Sequence, residues 1–307
     1  MKIDQVHPEL RKAIGRVPPL PFHNKLFLSA VNGLIKIMPR TKSVAGVSIT
    51  EAKLDNASVR IYRPPGELSG AGLLWIHGGG LITGFAAMND RECAQYAREL
   101  KLVVVSVDYR LAPKHSYPGA IDDCFDAWQW LQKNARDLGV DPTRIAISGQ
   151  SAGGGLAASL CQRIRDGGGI QPAAQALFCP MLDDRTAARR ELDALNHRIW
   201  NNRSNQAGWS LYLGQAPGQP VTAQYAVPAR REELSGLPKA WIGIGDIDLF
   251  HEEARQYAER LNAAGVKCQL DVVPMAPHAF ETFAPKAPLS RSFLQGYNRF
   301  LRTALGL

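Results

Sequence analysis

The chain has 307 residues, 45% of them hydrophobic, and its 36 Lys and Arg residues outnumber 28 Asp and Glu residues to give a net charge of +8. This length is ordinary for a single α/β domain, which can bury a large core without disulfide bonds. The basic residues are scattered and form no dense run, so we predict a solvated basic surface and no nucleic-acid partner.

Cysteine usage and hydropathy indicate the compartment. The stretch Leu26 to Met38 is apolar, but Asn32, Gly33 and Lys36 interrupt it, and we predict neither a signal peptide nor a membrane span. The cysteines are widely spaced and odd in number, and no CxxC or Cys/His cluster suggests a metal. We therefore predict buried free thiols, no metal site and a cytoplasmic location. The five cysteines are Cys93, Cys124, Cys161, Cys179 and Cys268.

Alternating strands and helices predict the fold class. Residues 1 to about 45 are predicted to form short helices broken by prolines, and an antiparallel pair of strands at a sheet edge follows. Short apolar strands then alternate with helices, a pattern typical of a mostly parallel sheet covered by helices on both faces. Strands are predicted at 47–54, 57–62, 73–76, 102–107, 144–148, 174–179, 240–244 and 267–273, and helices at 90–100, 120–138 and 290–305, after Ser151 and up to Ala264.

The segment 184–236 interrupts this alternation. It contains helix-like pieces such as 205–213 but no sheet strand, and connections this long are rare unless they form a lid or an insertion. We predict that this insertion and the N-terminal residues 1–45 together form a helical cap. The catalytic domain would then comprise residues 46–307.

A Gly-x-Ser-x-Gly sequence joins a predicted strand to a predicted helix at residues 149–153. A serine at the tip of such a turn has a strained backbone, and Gly149 and Gly153 remove side chains that would collide. The turn would hold the Ser151 hydroxyl clear of the sheet at a helix N-terminus, whose amides favour negative charge. Because serine is a weak nucleophile without a base beside it, the interpretation depends on finding that base.

A dinucleotide-binding loop is the alternative interpretation of this region. Residues 153–158 fit the pattern G-x-G-x-x-A after a strand, and Asp183 and Asp184 lie near the end of the next strand, where an acidic residue is required. This alternative leaves the motifs described below unexplained, so it is the minor one.

Three glycines after a strand indicate a second part of the site. His77-Gly78-Gly79-Gly80 follows the predicted strand ending at Ile76, and its backbone can pass close to a ligand with N–H groups free. Acyl transfer creates a tetrahedral oxyanion that needs such donors, to which the residue after the serine would add its own N–H. His77 precedes the glycines, and we predict that it holds the loop rather than acting as a base.

Residues after the late strands are candidates for the base and its carboxylate partner. His278 follows the strand 267–273, at the edge of the sheet where sites in parallel sheets gather. His251 competes but begins a helix. Asp246 and Asp248 both follow the strand 240–244, and either could orient a histidine. The remaining histidines lie in segments predicted to be peripheral: His7, His23, His115 and His197.

Taken together, these motifs resemble the hormone-sensitive-lipase-like (bacterial family IV) esterases of the α/β-hydrolase superfamily. The matching segments fall in the family's order over roughly residues 55–305: His77 to Gly80, Asp108 to Pro113, Gly149 to Gly154, and those of Asp248 and His278. The resemblance implies an α/β-hydrolase core with a helical cap, acting on carboxylic esters through an acyl-enzyme and without a cofactor. It implies the nucleophile Ser151, the base His278, its partner Asp248, and oxyanion donors at Gly79, Gly80 and Ala152.

The sequence departs from the family pattern at four positions. Gln150 stands where the family usually has an acidic residue, and Gly155 where asparagine is common. Met275 and Ala279 replace glycines around the histidine. None of these changes removes a catalytic group, so they affect rate, specificity and pH optimum rather than reaction class.

We predict a serine esterase for short- to medium-chain esters. An amidase, formamidase or acyltransferase with the same catalytic residues is an alternative, as is a non-catalytic small-molecule receptor on the same fold. Trp200, Trp209 and Leu211 are candidates to line the acyl pocket. An exposed sheet edge near the C-terminus could pair two subunits in a homodimer. Long-chain lipase activity is not expected, because the sequence shows no extended apolar surface segment.

Overall fold

The computed structural model of the chain describes residues 1–18, 20–38, 40–220 and 223–307, and within these residues it contains one nine-stranded sheet. The spatial order is β1-β2-β3-β5-β4-β6-β7-β8-β9, in which β4 to β9 run parallel and the first three strands form an antiparallel edge. The strands are β1 (Ser43–Val44), β2 (Val47–Lys53), β3 (Ser58–Arg63), β4 (Gly72–Ile76), β5 (Val103–Asp108), β6 (Ile145–Gln150), β7 (Ala174–Phe178), β8 (Ala240–Gly245) and β9 (Cys268–Val273).

Helices cover both faces of the sheet, as the continuous apolar strands predicted. Successive strand residues point to opposite faces. In β6, the Ser148 hydroxyl lies 3.3 Å from the Tyr297 hydroxyl of α10 on one face of the sheet. On the other face, a Cβ atom added to Gly149 would meet Gly153 of α5. The helices are α1 (Pro8–Ile14), α2 (Lys25–Ile37), α3 (Asp90–Leu100), α4 (Gly119–Asn134), α5 (Ala152–Gly167), α6 (Asp184–Ala188), α7 (Asn202–Leu213), α8 (His251–Ala263), α9 (Phe280–Phe283) and α10 (Pro288–Leu305).

The predicted fold class is confirmed, with small differences at element ends. Helix α4 ends four residues before the predicted Leu138, because the chain turns there and Gly139 takes a φ of 71°. The sheet begins at Ser43, slightly before the predicted domain boundary at residue 46.

The strand order places a crevice at the centre of the sheet. From β4 the chain goes first to β5 on one side and then to β6 on the other, so the connections after β4 and β6 leave the sheet in opposite directions. Such a reversal opens a crevice beyond the carboxyl ends of the strands, where ligands bind in open α/β sheets. The loop that follows Ile76 and the turn that follows Gln150 meet there.

The two segments predicted to form a cap lie against each other. Phe22 of the N-terminal segment packs on Trp200 of the insertion with ring centroids 5.6 Å apart, and Arg198 donates a hydrogen bond to the Ile14 carbonyl at 3.5 Å. The described part of 184–236 contains helices and no strand. Residues 19, 39, 221 and 222 of these segments lie outside the described residues. Their division from the catalytic domain remains a prediction.

The expectation that the surface lacks an extended apolar segment is wrong, because helix α2 has an exposed apolar face. It exposes Leu26, Leu34 and Ile37, and Met38 continues the exposed face. The exposure of this face could not be predicted from the sequence, because the pattern of an apolar 13-residue helix fits a buried helix equally well. No helix within the described ranges combines the length and apolarity needed to cross a bilayer.

Candidate active site

Ser151 occupies a sharp turn between β6 and α5. Its backbone φ is 56° and ψ is −119°, a conformation that a non-glycine residue rarely adopts. The turn depends on the flanking glycines: a Cβ atom on Gly149 would lie 2.3 Å from the Gly153 carbonyl oxygen, and one on Gly153 would lie 2.1 Å from that of Ile76. The motif therefore forms the turn that the sequence predicted, with the serine at its tip.

A hydrogen-bonded chain runs from Ser151 to His278 and Asp248. The Ser151 hydroxyl lies 2.9 Å from His278 Nε2, and His278 Nδ1 lies 2.8 Å from Asp248 Oδ2. All three side chains are buried. The carboxylate can only accept, so Nδ1 carries the proton and Nε2 accepts from the hydroxyl. Asp248 is itself fixed, because its Oδ1 accepts from the Phe250 N–H at 2.9 Å.

The neighbouring Asp246 has a different partner. Its carboxylate accepts from the Met275 N–H at 2.6 Å and so ties the loop after β8 to the loop after β9. This contact holds the two loops that present Asp248 and His278. The sequence left both aspartates open as partners of the histidine, and the structure brings only Asp248 to it.

The glycine loop after β4 lies beside the serine turn. Gly79 and Gly80 take φ angles of 114° and 61°, and a Cβ atom on Gly79 would collide with the Thr83 carbonyl oxygen at 2.0 Å. Within the described residues, the N–H groups of Gly79, Gly80 and Ala152 donate to no protein acceptor. Three unpaired donors close to a hydroxyl can bind a developing oxyanion.

His77 holds this loop, as predicted. Its Nδ1 lies 2.7 Å from the Gly78 carbonyl oxygen, and its ring stacks on Tyr109 with centroids 4.1 Å apart. The Tyr109 hydroxyl donates to the His77 carbonyl at 3.0 Å. Burial lowers the pKa of His77, so its ring is neutral.

The three candidates for the acyl pocket occupy different places. A Cβ atom added to Gly80 would meet the Trp200 ring at 2.0 Å, so this indole lies directly on the glycine loop. Trp209 is buried and packs on Tyr212 with centroids 6.1 Å apart, and Leu211 is partly buried against the core. Only Trp200 is placed by these contacts against a predicted oxyanion donor.

A cavity of about 650 Å³ borders the site on the Asp248 side. Residues of the insertion and of the loop after β8 line it, among them Leu192, His197, Ile247 and Leu249. The prediction that His197 is peripheral is therefore wrong. Burial lowers its pKa, and the nearby Asp248 carboxylate partly opposes this effect. No pattern in the sequence could have indicated this position, because His197 lies in an irregular segment.

One group of three potential metal ligands occurs among the described residues. Atoms of Cys179, Asp248 and His278 lie within 4.8 Å of one another. Asp248 and His278 are already paired with each other, and burial raises the pKa of the Cys179 thiol well above its usual value, so the thiol stays protonated. This arrangement suits a hydroxyl nucleophile and its base better than a metal ion.

Comparison with known proteins identifies the family. A family model described as alpha/beta hydrolase fold matches residues 73–282, which include every motif of the site. The chain belongs to this family.

Relatives of this hydrolase share its reaction class. Esterase LipI from Mycobacterium tuberculosis is 33% identical over 269 residues, 85% of this chain and 83% of LipI. Ethyl acetate hydrolase from Pseudomonas putida is 34% identical over 253 residues, 77% of this chain and 75% of that protein. The structure of a bacterial heroin esterase superposes with a TM-score of 0.88, 32% identity and 99% coverage of both chains. The chain is a carboxylic ester hydrolase of the hormone-sensitive-lipase-like family, as its motifs predicted.

The hydrolase also contains a contact that the sequence did not reveal. The Gln150 amide, next to the nucleophile turn, donates to Glu281 at 2.7 Å and to the Thr282 hydroxyl at 2.8 Å. Glu281 is buried three residues after His278, and burial raises its pKa to about 7. The acidic residue that the family usually has beside the serine is thus replaced by an amide that faces a carboxyl group from the histidine segment.

Proposed function

We propose that this hydrolase cleaves esters through an acyl-enzyme on Ser151. His278 Nε2 takes the hydroxyl proton as Ser151 Oγ bonds to the ester carbonyl carbon, and Asp248 stabilises the imidazolium that forms. The proton then passes to the leaving alkoxide, which departs as the alcohol. Water then attacks the acyl-enzyme in the same way and releases the carboxylic acid, with His278 again as base and then as acid.

The N–H groups of Gly79, Gly80 and Ala152 would receive the negative charge of both tetrahedral intermediates. These donors lie at the crevice between β4 and β6 and on the first residue of α5, where the helix dipole adds to their effect. Electrostatic stabilisation of this kind is often the largest single contribution to catalysis.

The observation that supports this mechanism is the hydrogen-bonded chain from Ser151 to Asp248 beside unpaired backbone donors. Treatment with an alkyl fluorophosphonate, followed by peptide mass spectrometry, tests it. The expected result is one phosphonylated peptide, modified at Ser151, with loss of activity in proportion to labelling. Full inactivation without modification of Ser151 would refute the mechanism. The receptor and amidase alternatives are not favoured by any contact described above.

We propose short- to medium-chain acyl groups as substrates, because Trp200 closes the space beside Gly80. An acetate-like acyl group is consistent with the name of the related ethyl acetate hydrolase. With p-nitrophenyl esters from acetate to palmitate, kcat/KM is expected to fall steeply beyond medium chains.

Trp200→Ala is expected to raise kcat/KM for the octanoate ester relative to the butyrate ester by about tenfold. Each buried methylene contributes ~0.8 kcal/mol, and the space left by the indole admits more of them. Trp200→Phe, which keeps one six-membered ring in place of the indole, should lie between the wild type and the alanine variant. An unchanged preference in both variants, with folding intact by circular dichroism, would show that Trp200 does not limit the pocket.

Glu281→Gln is expected to change the pH dependence of both activity and stability. Above pH 7 the ionised Glu281 favours the His278 imidazolium, so the ratio of wild-type to variant kcat should rise from about one below pH 6 to several-fold above pH 8. The folded state holds the Glu281 proton up to about pH 7, whereas an unfolded glutamate loses it near its usual pKa. The wild-type free energy of unfolding therefore falls through this window, and the variant should lack this decrease.

Kinetics and denaturant unfolding at a series of pH values measure both effects. Glu259→Gln is the matched control, because Glu259 is an exposed carboxylate paired with Arg255 on α8. It should behave like the wild type throughout. If the ratio of wild-type kcat to Glu281→Gln kcat did not vary with pH, the Glu281 charge would not act on His278.

We propose a reducing, cytoplasmic compartment, because all five cysteines are free and four are buried. We propose pairing of two subunits along β9, a sheet edge at which Val272 is exposed. The absence of a nucleic-acid partner remains a prediction.

A further inference from the structure

Helix α2 has two apolar faces, and only one of them packs on the protein. On the inner face Leu28 is buried, and the Asn32 amide donates to the Ile82 carbonyl at 2.9 Å while accepting from the Thr83 hydroxyl at 2.7 Å. These contacts fix the helix beside the segment that follows the glycine loop. A surface helix normally buries its apolar side and exposes its polar side, so a second apolar face in solvent is unusual.

The outer face of α2 is exposed to solvent. Leu26 is 83% exposed, Leu34 60% and Ile37 78%, and Met38 directly after the helix is 46% exposed. Positions 26, 30, 33, 34 and 37 lie on one side of a helix, and Ala30 and Gly33 fill the places between the large side chains. Contiguous apolar surface of this kind marks a site of interaction rather than scattered surface residues.

The same part of the chain carries most of the net positive charge. Residues 1–45 contain eight Lys and Arg residues and two Asp and Glu residues, so they hold six of the eight net positive charges of the whole chain. Lys25 at the start of α2 and Lys42 shortly after its end are exposed. A partner with both apolar and anionic groups would match the exposed face and the charge of this segment.

We propose that the outer face of α2 docks on an anionic lipid surface. Leu26, Leu34 and Ile37 would enter the boundary between headgroups and acyl chains, while Lys25 and Lys42 would face lipid phosphates. The helix would lie in the plane of the interface and would not span the bilayer. The contact of Asn32 with Thr83 would hold the lipid surface next to the segment that follows the glycine loop.

Two other occupants fit the face less well. A second copy of the chain would bring two segments of the same positive charge together, which is unfavourable. A nucleic acid would satisfy the lysines but offers no apolar surface to Leu26, Leu34 and Ile37. A lipid surface with anionic headgroups matches both the apolar face and the charge.

Flotation of the full-length protein with vesicles tests the proposal without measuring activity. Vesicles of phosphatidylcholine alone are compared with vesicles containing one-third phosphatidylglycerol, at low and high ionic strength. The protein should float with the anionic vesicles and should dissociate as salt screens the charge. No flotation with anionic vesicles, or equal flotation with both kinds, would overturn the proposal.

Two pairs of variants separate the apolar face from the charge. Leu34→Glu should lower the partition coefficient by about tenfold or more, whereas Ile170→Glu, at an exposed apolar residue after α5, should not. The double variant Lys25→Glu/Lys42→Glu should lose a similar factor, whereas Lys133→Glu/Lys267→Glu, with the same charge change at exposed positions elsewhere, should lose much less. Equal losses in a variant and its control would overturn the proposal.

Further measurements distinguish lipid binding from misfolding, self-association and nucleic-acid binding. All variants should hydrolyse monomeric p-nitrophenyl butyrate at the wild-type rate without vesicles, which shows that they fold and that α2 is not part of the catalytic machinery. Self-association in analytical ultracentrifugation that Leu34→Glu abolishes would assign the face to a second copy and overturn the lipid proposal. Displacement from vesicles by short duplex DNA, but not by the same concentration of salt, would assign the lysines to nucleic acid and overturn it as well.

Discussion

Ser151→Ala is expected to lower kcat for p-nitrophenyl butyrate by about 10⁶-fold, the loss typical of removing a nucleophile that acts together with its base. The hydroxyl lies 2.9 Å from His278 Nε2 at the tip of a strained turn, so alanine removes the attacking atom and leaves the turn unchanged. The remaining rate would come from the oxyanion donors and substrate binding alone. Active-site titration with a slow substrate should show no burst of p-nitrophenol in the variant.

Ser148→Ala provides the matched control for this prediction. Ser148 lies on β6, three residues before Ser151, and its hydroxyl donates to the Ala176 carbonyl at 2.7 Å, away from the catalytic crevice. Its loss should cost about 1 kcal/mol of stability and change kcat by no more than a few-fold. If Ser151→Ala retained a hundredth or more of wild-type kcat, Ser151 would not be the nucleophile.

The sheet could be predicted from the sequence because its strands have a simple signature. The buried parallel strands are short, continuous apolar runs, and β4 and β8 are buried along their whole length. Ends of elements were less well predicted, as with α4, because the last turn of a helix depends on what packs against it. The spatial order of the strands requires contacts between residues far apart in the chain, which neither periodicity nor composition contains.

The catalytic turn and the glycine loop could be predicted because both are local. Each is a run of a few residues whose glycines are required by backbone geometry, as the collision of a Gly79 Cβ atom with Thr83 shows. The choice between Asp246 and Asp248 as the partner of the histidine depends on contacts with residues far along the chain. Met275, from a loop almost 30 residues later, binds Asp246 and leaves Asp248 for the histidine.

The contacts around the catalytic residues could not be predicted for the same reason. Gln150 and Glu281 are separated by 131 positions, and only the packing of α9 against the nucleophile turn brings them together. His197 reaches the cavity through an irregular part of the insertion, where no periodic pattern exists to place it. An unusual glutamine at the turn was visible in the sequence, but its partner was not.

Asp248→Asn is expected to lower kcat by about 10⁴-fold at neutral pH, with KM little changed. The Asn side chain fits the same space but can present its amide N–H to His278 Nδ1. The histidine would then carry its proton on Nε2, which faces Ser151, and could no longer accept the hydroxyl proton. Kinetics with p-nitrophenyl butyrate across the pH range measure the effect.

Asp246→Asn distinguishes the orientation of His278 by Asp248 from a general effect of negative charge in the loop. Asp246 lies two residues away and accepts from the Met275 N–H, a contact that the Asn side-chain oxygen can preserve. Its kcat should therefore stay within a few-fold of the wild type, although both variants lose one negative charge from the same loop. Equal losses in the two variants would mean that the charge of the loop, rather than the orientation of His278, supports catalysis. A large loss confined to Asp246→Asn would transfer the role to that residue, in contradiction to the hydrogen bonds of the site.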